Sequence, residues 1–483
     1  MMARALPLRL WRGLKRLRGW LAARPIVPVL VLTLLHGALY AVSVPPWQGP
    51  DEPTHYEYLR ALSAAPDLFP ASLDGSEAVY REVMESARRF RWWEFRRQPT
   101  PAELPAMPAD RPLTVRAGYL YYRLSQPVYW LLAGQPVEAQ LFGLRLYSVT
   151  LQVVTVALTW LIAELIFTRP TDPAERLLPA AAALVVAFQP QYTFISAIYN
   201  DDNLVPVWVA AMLYALLRGL RDAADWRWLV LASVAAGLAA LTKRTGISAV
   251  LLVAAAGLIY AGLWQRAAGR WRRWAGRLML GGAALAAVGV IWVMASPPLI
   301  PDGLAALARV SPTALVQLAS YWQNPAQLTR VDWVQELVFF SVTFWGAFGY
   351  FIAPLETGVM EVLRRVMALL AVGAGAAWLW AWRRRRAEPE VRFQLLALAL
   401  LAAGLGFNAG LLVTQYLIGP PVYLLVGRYL FPFIAAFGVL AAWGWQAWWP
   451  RAWKPAGLLV GAGLLVVLDV IALGGTLAPY FYS

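Results

Sequence analysis

Apolar runs of about 20 residues recur along the whole chain, separated by short polar connectors in which arginine clusters. Runs of that length cross a bilayer as helices. The pattern therefore predicts an all-α, polytopic integral membrane protein. Spans are expected near 26–45, 140–167, 177–195, 203–220, 227–242, 246–264, 275–296, 359–382, 393–417, 428–448 and 455–474. The basic connectors Arg169 and Arg176, then Arg218 to Arg227, then Arg266 to Arg277, then Arg383 to Arg386, then Arg451 and Lys454 all fall on one side under this assignment. Basic loops stay cytoplasmic, so these connectors are inner ones. That bookkeeping closes with 11 crossings, and 12 or 13 remain open, because short apolar runs are ambiguous. It requires the run at 335–353 to be re-entrant or to lie at the outer interface.

Residues 1–25 hold seven basic residues and no acidic one, which places the N-terminus inside. The first run is too long for a signal-peptide core and no small-residue cleavage pattern follows it, so it reads as a retained helix. Residues 46–138 then form a large outer segment with 12 of the 27 acidic residues and 10 arginines. Within it, helical patterns appear at 51–65 and 76–97, and an amphipathic, interfacial one at 117–133. A second outer stretch runs over 298–358. The chain 1–483 reads as one transmembrane domain, with no soluble domain and no short repeat.

Composition agrees. Of 483 residues, 60% are hydrophobic and only 14% charged, against about 25% in a soluble domain. The net charge of +15 would suit nucleic acid, but its distribution is that of membrane anchoring, so no nucleic-acid partner is expected. The Arg- and Trp-rich RRFRWWEFRR at 88–97 likewise suits a membrane surface or a sugar better than bases. With no cysteine, the chain holds no disulfide and gives no sign of its redox compartment. No phosphate-binding glycine loop, zinc motif or serine-nucleophile motif appears.

The informative charges are those that break the inner-basic rule. Lys243 and Arg244, in GLAALTKRTG, fall at an outer turn, and Arg428, in GRYLFP, at the outer end of a span. Charge at membrane depth is costly unless it faces a polar cavity or a partner, although snorkelling to headgroups accounts for part of such cases. Lysine is used only three times among 42 basic residues, so Lys243 suggests a need for a compact ammonium. Asp51-Glu52 and the Asn200-Asp201-Asp202 turn fall on the same outer side. Asp51 is also placed to cap the helix that follows, and Asn200 and Asp201 to form a turn. His55 follows Asp51 by one helical turn and shares its face. Carboxylates can activate a hydroxyl and cations can stabilise a departing phosphate. The convergence suits transfer of a group from a phospholipid carrier. His36, in the first span, reads as packed; Asp469, in the last, invites a functional reading but shows no partner.

The ordered motifs PPWQGPDEPTHY at 45–56, SVTFWGAFGY at 341–350 and GRYLFP at 427–432 resemble an uncharacterised bacterial family within the GT-C superfamily of membrane glycosyltransferases. Aminoarabinose transferases and protein mannosyltransferases are more distant members. FISAIYNDDNL at 194–204 and GLAALTK at 237–243 resemble further superfamily features. The resemblance implies an inverting enzyme of the bacterial inner membrane, working on the extracytoplasmic face. It would move a sugar from a polyprenyl-phosphate donor to an acceptor hydroxyl on a lipid, glycan or protein. It implies Asp51 as general base, with Glu52 as its partner or the alternative base. Lys243, Arg244 and Arg428 would hold the donor phosphate. His55, Tyr121, Tyr122, Asn200, Asp201 and Asp202 are candidates for substrate or metal. Members differ in metal use, and the carboxylates suit Mg²⁺ or Mn²⁺. One departure is the first-loop segment, where relatives carry a His-Pro-Pro before Leu-Tyr-Tyr. Here Ala117 and Gly118 precede Tyr119, so a histidine role there passes to Arg116 or His55, or is lost. A transporter or lipid-linked-glycan flippase, or a non-catalytic subunit of envelope polysaccharide assembly, is the alternative reading.

Overall fold

The computed structural model describes residues 24–65, 67, 73–104, 113, 119–167, 173–222, 225, 227–265, 331–418 and 424–483. Its architecture is a helical bundle with small helices laid across one end. Seven helices are long and apolar enough to cross a membrane, and eight if the bent pair Glu175–Ala187 and Pro190–Ser196 counts as one span. Arg227–Thr242 and Arg244–Gly257 are shorter apolar helices. The expected span at 275–296 and Arg116 lie outside the described residues.

The first helix, Ile26–Ser43, shows how sequence spacing makes the bundle. Val29, Thr33, His36, Gly37, Tyr40 and Ala41 recur at helical spacing and are buried. Leu32, Leu35 and Leu39 point away from the bundle, with Leu35 63% exposed, as a lipid-facing stripe does. The buried stripe solves the partner of Asp469. His36 Nε2 lies 2.6 Å from Asp469 Oδ2 and the Tyr40 hydroxyl donates to Oδ1 at 2.8 Å, so the last span is tied to the first. His36 Nδ1 also reaches the Ala187 carbonyl at 3.0 Å. That carbonyl lies at the break of the bent span, where Pro190 cannot supply the next N–H and the axis turns by 64°.

Close crossings rest on glycine. A Cβ on Gly444 would stand 2.3 Å from the Leu370 carbonyl oxygen, so helices Thr357–Arg385 and Ile434–Gln446 meet backbone to backbone. At the opposite end of these helices, a Cβ on Gly427 would stand 2.1 Å from the Phe340 carbonyl oxygen, and the Gly427 N–H donates to Thr343 Oγ1 at 2.7 Å. Gly427 thereby locks the residue after it, Arg428, against helix Trp333–Trp345.

That helix has 13 residues, or about 20 Å at 1.5 Å per residue, short of the roughly 30 Å of hydrocarbon. The Tyr416 hydroxyl holds Glu336 near its start, and Tyr350, just beyond its end, bonds the backbone of Asp51. Contacts near both ends of the 335–353 segment thus tie it to Tyr416 and to the Asp51 loop.

Helices Glu52–Ala64, Glu77–Arg89, Trp92–Phe95 and Leu120–Leu131 cover that end over their own apolar core of Trp47, Tyr56, Leu59, Leu62, Val83 and Tyr121. The single helix expected over 76–97 is broken. Arg91 takes φ 56°, a left-handed value that no helix interior accepts, and Trp92–Phe95 restarts after it.

Candidate functional site

The loop between the first span and the helix Glu52–Ala64 carries prolines at 45, 46, 50 and 53 and folds back on itself. Trp47 takes φ 71° and Asp51 φ 60°. Such left-handed conformations cost about 1 kcal/mol or more in non-glycine residues and persist where surroundings impose them. Here the Asp51 N–H donates to the Tyr350 hydroxyl at 2.9 Å, and the Trp47 N–H to Glu52 Oε2 at 3.1 Å. Asp51 occupies the position before the helix, but its carboxylate makes no capping bond. The capping role expected from sequence is therefore corrected: Asp51 takes a left-handed backbone and its side chain makes no bond to the helix end.

Glu52 lies directly beneath. It is fully buried, and Arg145 meets it in a two-pronged pair, Nε to Oε1 at 2.8 Å and Nη2 to Oε2 at 2.7 Å. The Tyr199 N–H also donates to Oε1, at 3.1 Å. Arg145 spends its remaining N–H groups on the carbonyls of Ala41, Val44 and Pro45. Glu52 thus anchors three segments at once: the end of the first span, the span Val137–Ile166 and the approach to Asn200.

Asn200 closes the next turn. Its Oδ1 accepts from the Asp202 N–H at 2.8 Å while its Nδ2 donates to the Pro50 carbonyl at 3.1 Å. This brings Asp201 and Asp202 beside Asp51. Lys243, from the turn after Arg227–Thr242, places Nζ 2.8 Å from Asp201 Oδ1 and 2.6 Å from Asp202 Oδ1. Arg244 follows it in the short turn Arg244–Gly246. Burial alone would lower the Lys243 ammonium, and the two carboxylates outweigh it and raise it far above its ordinary value.

His55 and Tyr122 form the next layer, with Nδ1 to hydroxyl at 2.6 Å, and Tyr121 bonds Ser148 and accepts from the Asn200 N–H at 3.1 Å. His55 feels Asp201, Lys243, Asp51 and Asp202 together, and burial dominates, lowering its pKa below 6.5. A histidine depressed in the fold stabilises it above the unfolded value, and that contribution is lost as pH falls, because the unfolded chain takes the proton first. The acid limb of a thermal-stability profile, measured below about pH 6.5, should accordingly become shallower in His55→Gln than in the wild type.

Arg428 completes the cluster. It is 8% exposed, with its guanidinium 5.3 Å from the centroid of the Phe351 ring, and it lies in the field of Asp202 and Asp51. Its Nε and Nη1 make no hydrogen bond among the described residues. Asp51, Glu52, His55, Tyr121, Tyr122, Asn200, Asp201, Asp202, Lys243, Arg244 and Arg428 fall within this one end of the bundle.

Three residues were not named individually in the sequence reading, although Arg96 lies in the RRFRWWEFRR stretch and Tyr350 in the SVTFWGAFGY motif. Arg145 looked like part of an apolar run, although it breaks the inner-basic rule as Arg428 does. Arg96 and Tyr350 come from separate motifs and meet face to face: the Arg96 guanidinium lies 3.7 Å from the Trp92 ring centroid and 4.0 Å from that of Tyr350. Arg96 also donates to Gln48 Oε1 at 3.0 Å. It pins the tyrosine that holds the Asp51 backbone. No sequence signal pairs them.

For a divalent cation, the described residues contain no converging group of three or more histidine or carboxylate ligands. The Asp201 and Asp202 oxygens that suit Mg²⁺ or Mn²⁺ both face Lys243 instead.

Residues 129–300 match the family model described as dolichyl-phosphate-mannose-protein mannosyltransferase. That stretch contains Arg145, Asn200 to Asp202 and Lys243, and ends before Arg428. The chain is 34% identical over 215 residues to an undecaprenyl phosphate-alpha-4-amino-4-deoxy-L-arabinose arabinosyl transferase of Pseudomonas aeruginosa strain UCBPP-PA14. The match covers 43% of this chain and 33% of that protein, and the transferase of the same description from Pseudomonas paraeruginosa matches to the same extent. The chain thus spans about a third of the length of the curated relatives it matches. Among solved structures, ArnT from Cupriavidus metallidurans bound to undecaprenyl phosphate aligns over 96% of this chain and 74% of its own, at 16% identity and TM-score 0.44. The archaeal oligosaccharyltransferase AglB from Archaeoglobus fulgidus, with an inhibitory peptide and a dolichol-phosphate, aligns over 96% and 56%, at 14% identity and TM-score 0.46. The family match and the curated relatives support the resemblance to the GT-C superfamily drawn from the motifs.

Proposed function

We propose that this chain is a GT-C type glycosyltransferase, moving a sugar from a polyprenyl-phosphate donor to an acceptor hydroxyl on the extracytoplasmic face of the bacterial inner membrane. The observation that carries the reading is the buried Arg428 guanidinium, whose Nε and Nη1 lack hydrogen-bond partners among the described residues while Tyr429, Asp202 and Asp51 lie in its field. A buried donor left unbonded costs roughly 1–3 kcal/mol. A donor phosphate would satisfy it with charge-assisted bonds. The similarity to undecaprenyl-phosphate aminoarabinose transferases supports the same donor class.

In the proposed step, Asp51 takes the acceptor hydroxyl's proton as its oxygen attacks the anomeric carbon. The bond from that carbon to the phosphate oxygen breaks, and its electron pair leaves with the polyprenyl phosphate. A single displacement inverts the anomeric centre. Arg428, Lys243 and Arg244 carry the charge that develops on the phosphate. Glu52 is assigned the positioning of Asp51 rather than proton transfer, because both its oxygens already face Arg145 and backbone N–H groups. Asn200 and Tyr121 hold the Asp201–Asp202 turn, and His55 with Tyr122 lines it.

Purified protein in lipid, offered a panel of polyprenyl-phosphate sugars with candidate acceptors, should release polyprenyl phosphate from at least one donor. No release and no donor binding across the panel would overturn the assignment. Substrate flux into vesicles without covalent product would replace it with transport. The mid-span ionisable residues His36 and Asp469 bond each other and Tyr40, which favours the transferase.

A further inference from the structure

We propose that the Lys243 ammonium does in this site the work of a divalent cation: it neutralises the Asp201 and Asp202 carboxylates and offers its remaining N–H to the donor phosphate, so that transfer needs no metal. This rests on the donor reading above. The geometry is that of an occupied cation site. One Nζ stands 2.8 Å from Asp201 Oδ1 and 2.6 Å from Asp202 Oδ1. An Mg²⁺ ion would sit about 2.0–2.1 Å from the same two oxygens. It would fall against the ammonium, in charge as well as in space. An ammonium has three protons, and two go to the carboxylates. The third is the equivalent of the open coordination position through which a metal would reach a phosphate.

The ammonium is also held in place. The Lys243 N–H donates to the Ala239 carbonyl at 3.1 Å, and its own carbonyl accepts from the Gly246 N–H at 2.9 Å. A Cβ on Gly246 would stand 2.2 Å from the Ala239 oxygen, so the turn packs directly on the preceding helix and only glycine fits. The two carboxylates keep the lysine charged throughout the working pH range. The residue type agrees: a point charge suits two converging oxygens, whereas the planar fork of arginine, preferred nearly everywhere else in the chain, does not. Arg428, in the field of Asp202, supplies a second positive charge.

Metal-stripped protein in lipid nanodiscs, titrated with Mn²⁺ and followed by electron paramagnetic resonance, tests this directly. The wild type is expected to show no Mn²⁺ binding that the Asp201→Asn/Asp202→Asn variant removes. Lys243→Met, checked for a cooperative thermal transition, should uncover the carboxylates and gain about one Mn²⁺ per chain. The gain should vanish when both aspartates are also changed to Asn. Wild-type binding of about one Mn²⁺ that the aspartate variant abolishes would overturn the proposal, and so would a folded Lys243→Met that gains none. In the release assay, chelator-treated wild type should keep its rate to within about twofold; a loss of tenfold or more that Mn²⁺ restores overturns the proposal. The Mn²⁺ measurements need no sugar donor, so failure of the donor reading shows only in the release assay.

Discussion

Asp51→Asn is expected to fold and insert as the wild type does while losing transfer by about 10²- to 10⁴-fold, the usual worth of a general base. Both halves follow from the geometry. Asp51 holds φ 60°, and asparagine accepts that left-handed region as readily as aspartate. The loop is fixed through the backbone, by the Asp51 N–H on Tyr350 and the His55 N–H on the Asp51 carbonyl at 3.0 Å, and neither bond involves the carboxylate. No helix cap is lost, because the side chain makes none. What disappears, with the negative charge felt by His55 and Arg428, is proton acceptance, which an amide cannot perform. Donor binding should survive, since the cations assigned to the phosphate are untouched. The check is release of polyprenyl phosphate, with thermal stability and donor affinity measured on the same samples. Asp51→Ala is the instructive contrast, because it adds the cost of a left-handed alanine to the loss of the base. A fully active Asp51→Asn would remove Asp51 as base.

Much of this was legible in the chain, and the reason is the membrane. A bilayer forces period, length and charge sidedness onto a sequence, so the helices now seen at Ile26–Ser43, Val137–Ile166, Leu204–Arg221 and Pro389–Ile418 could be read from apolar runs alone. The inner-basic rule also exposed Lys243 and Arg428 as exceptions, and the structure brings both to Asp202. Less visible was what each charge does. Lys243 and Asp201 are 42 positions apart, and His36 and Asp469 are 433 apart. Local pattern carries no information on such pairs. Backbone conformation was hidden too: Asp51 looked like a helix cap by residue type, yet it takes a left-handed φ and makes no side-chain bond to the helix end. Arg145 was legible in principle. It sits in an apolar span near the end occupied by Asp51, where the rule that exposed Arg428 applies equally.

Replacing Glu52 should behave in the opposite way to replacing Asp51. Glu52→Ala leaves the Arg145 guanidinium buried and uncompensated, since Arg145 is 2% exposed and both of its links to Glu52 are lost. Breaking one side of a buried ion pair costs about 3–5 kcal/mol. The Trp47 and Tyr199 N–H groups, also buried, lose their acceptor at the same time. These two backbones lead into Asp51 and into Asn200, so the turns that carry Asp51, Asp201 and Asp202 are released together. The expected result is a large fall in the thermal midpoint in detergent, together with loss of donor binding as well as of transfer. Arg145→Met should reproduce it, because it strands the carboxylate instead and frees the carbonyls of Ala41, Val44 and Pro45. The double variant Glu52→Leu/Arg145→Met removes both charges and should recover a large part of the stability that either single change costs, since paired charges can be exchanged for apolar packing where one alone cannot be removed. Transfer should not recover with it, because the backbone N–H groups still lack their acceptor. A Glu52→Gln variant that is as stable as the wild type, binds donor and is inactive would contradict this account. It would move proton transfer from Asp51 to Glu52.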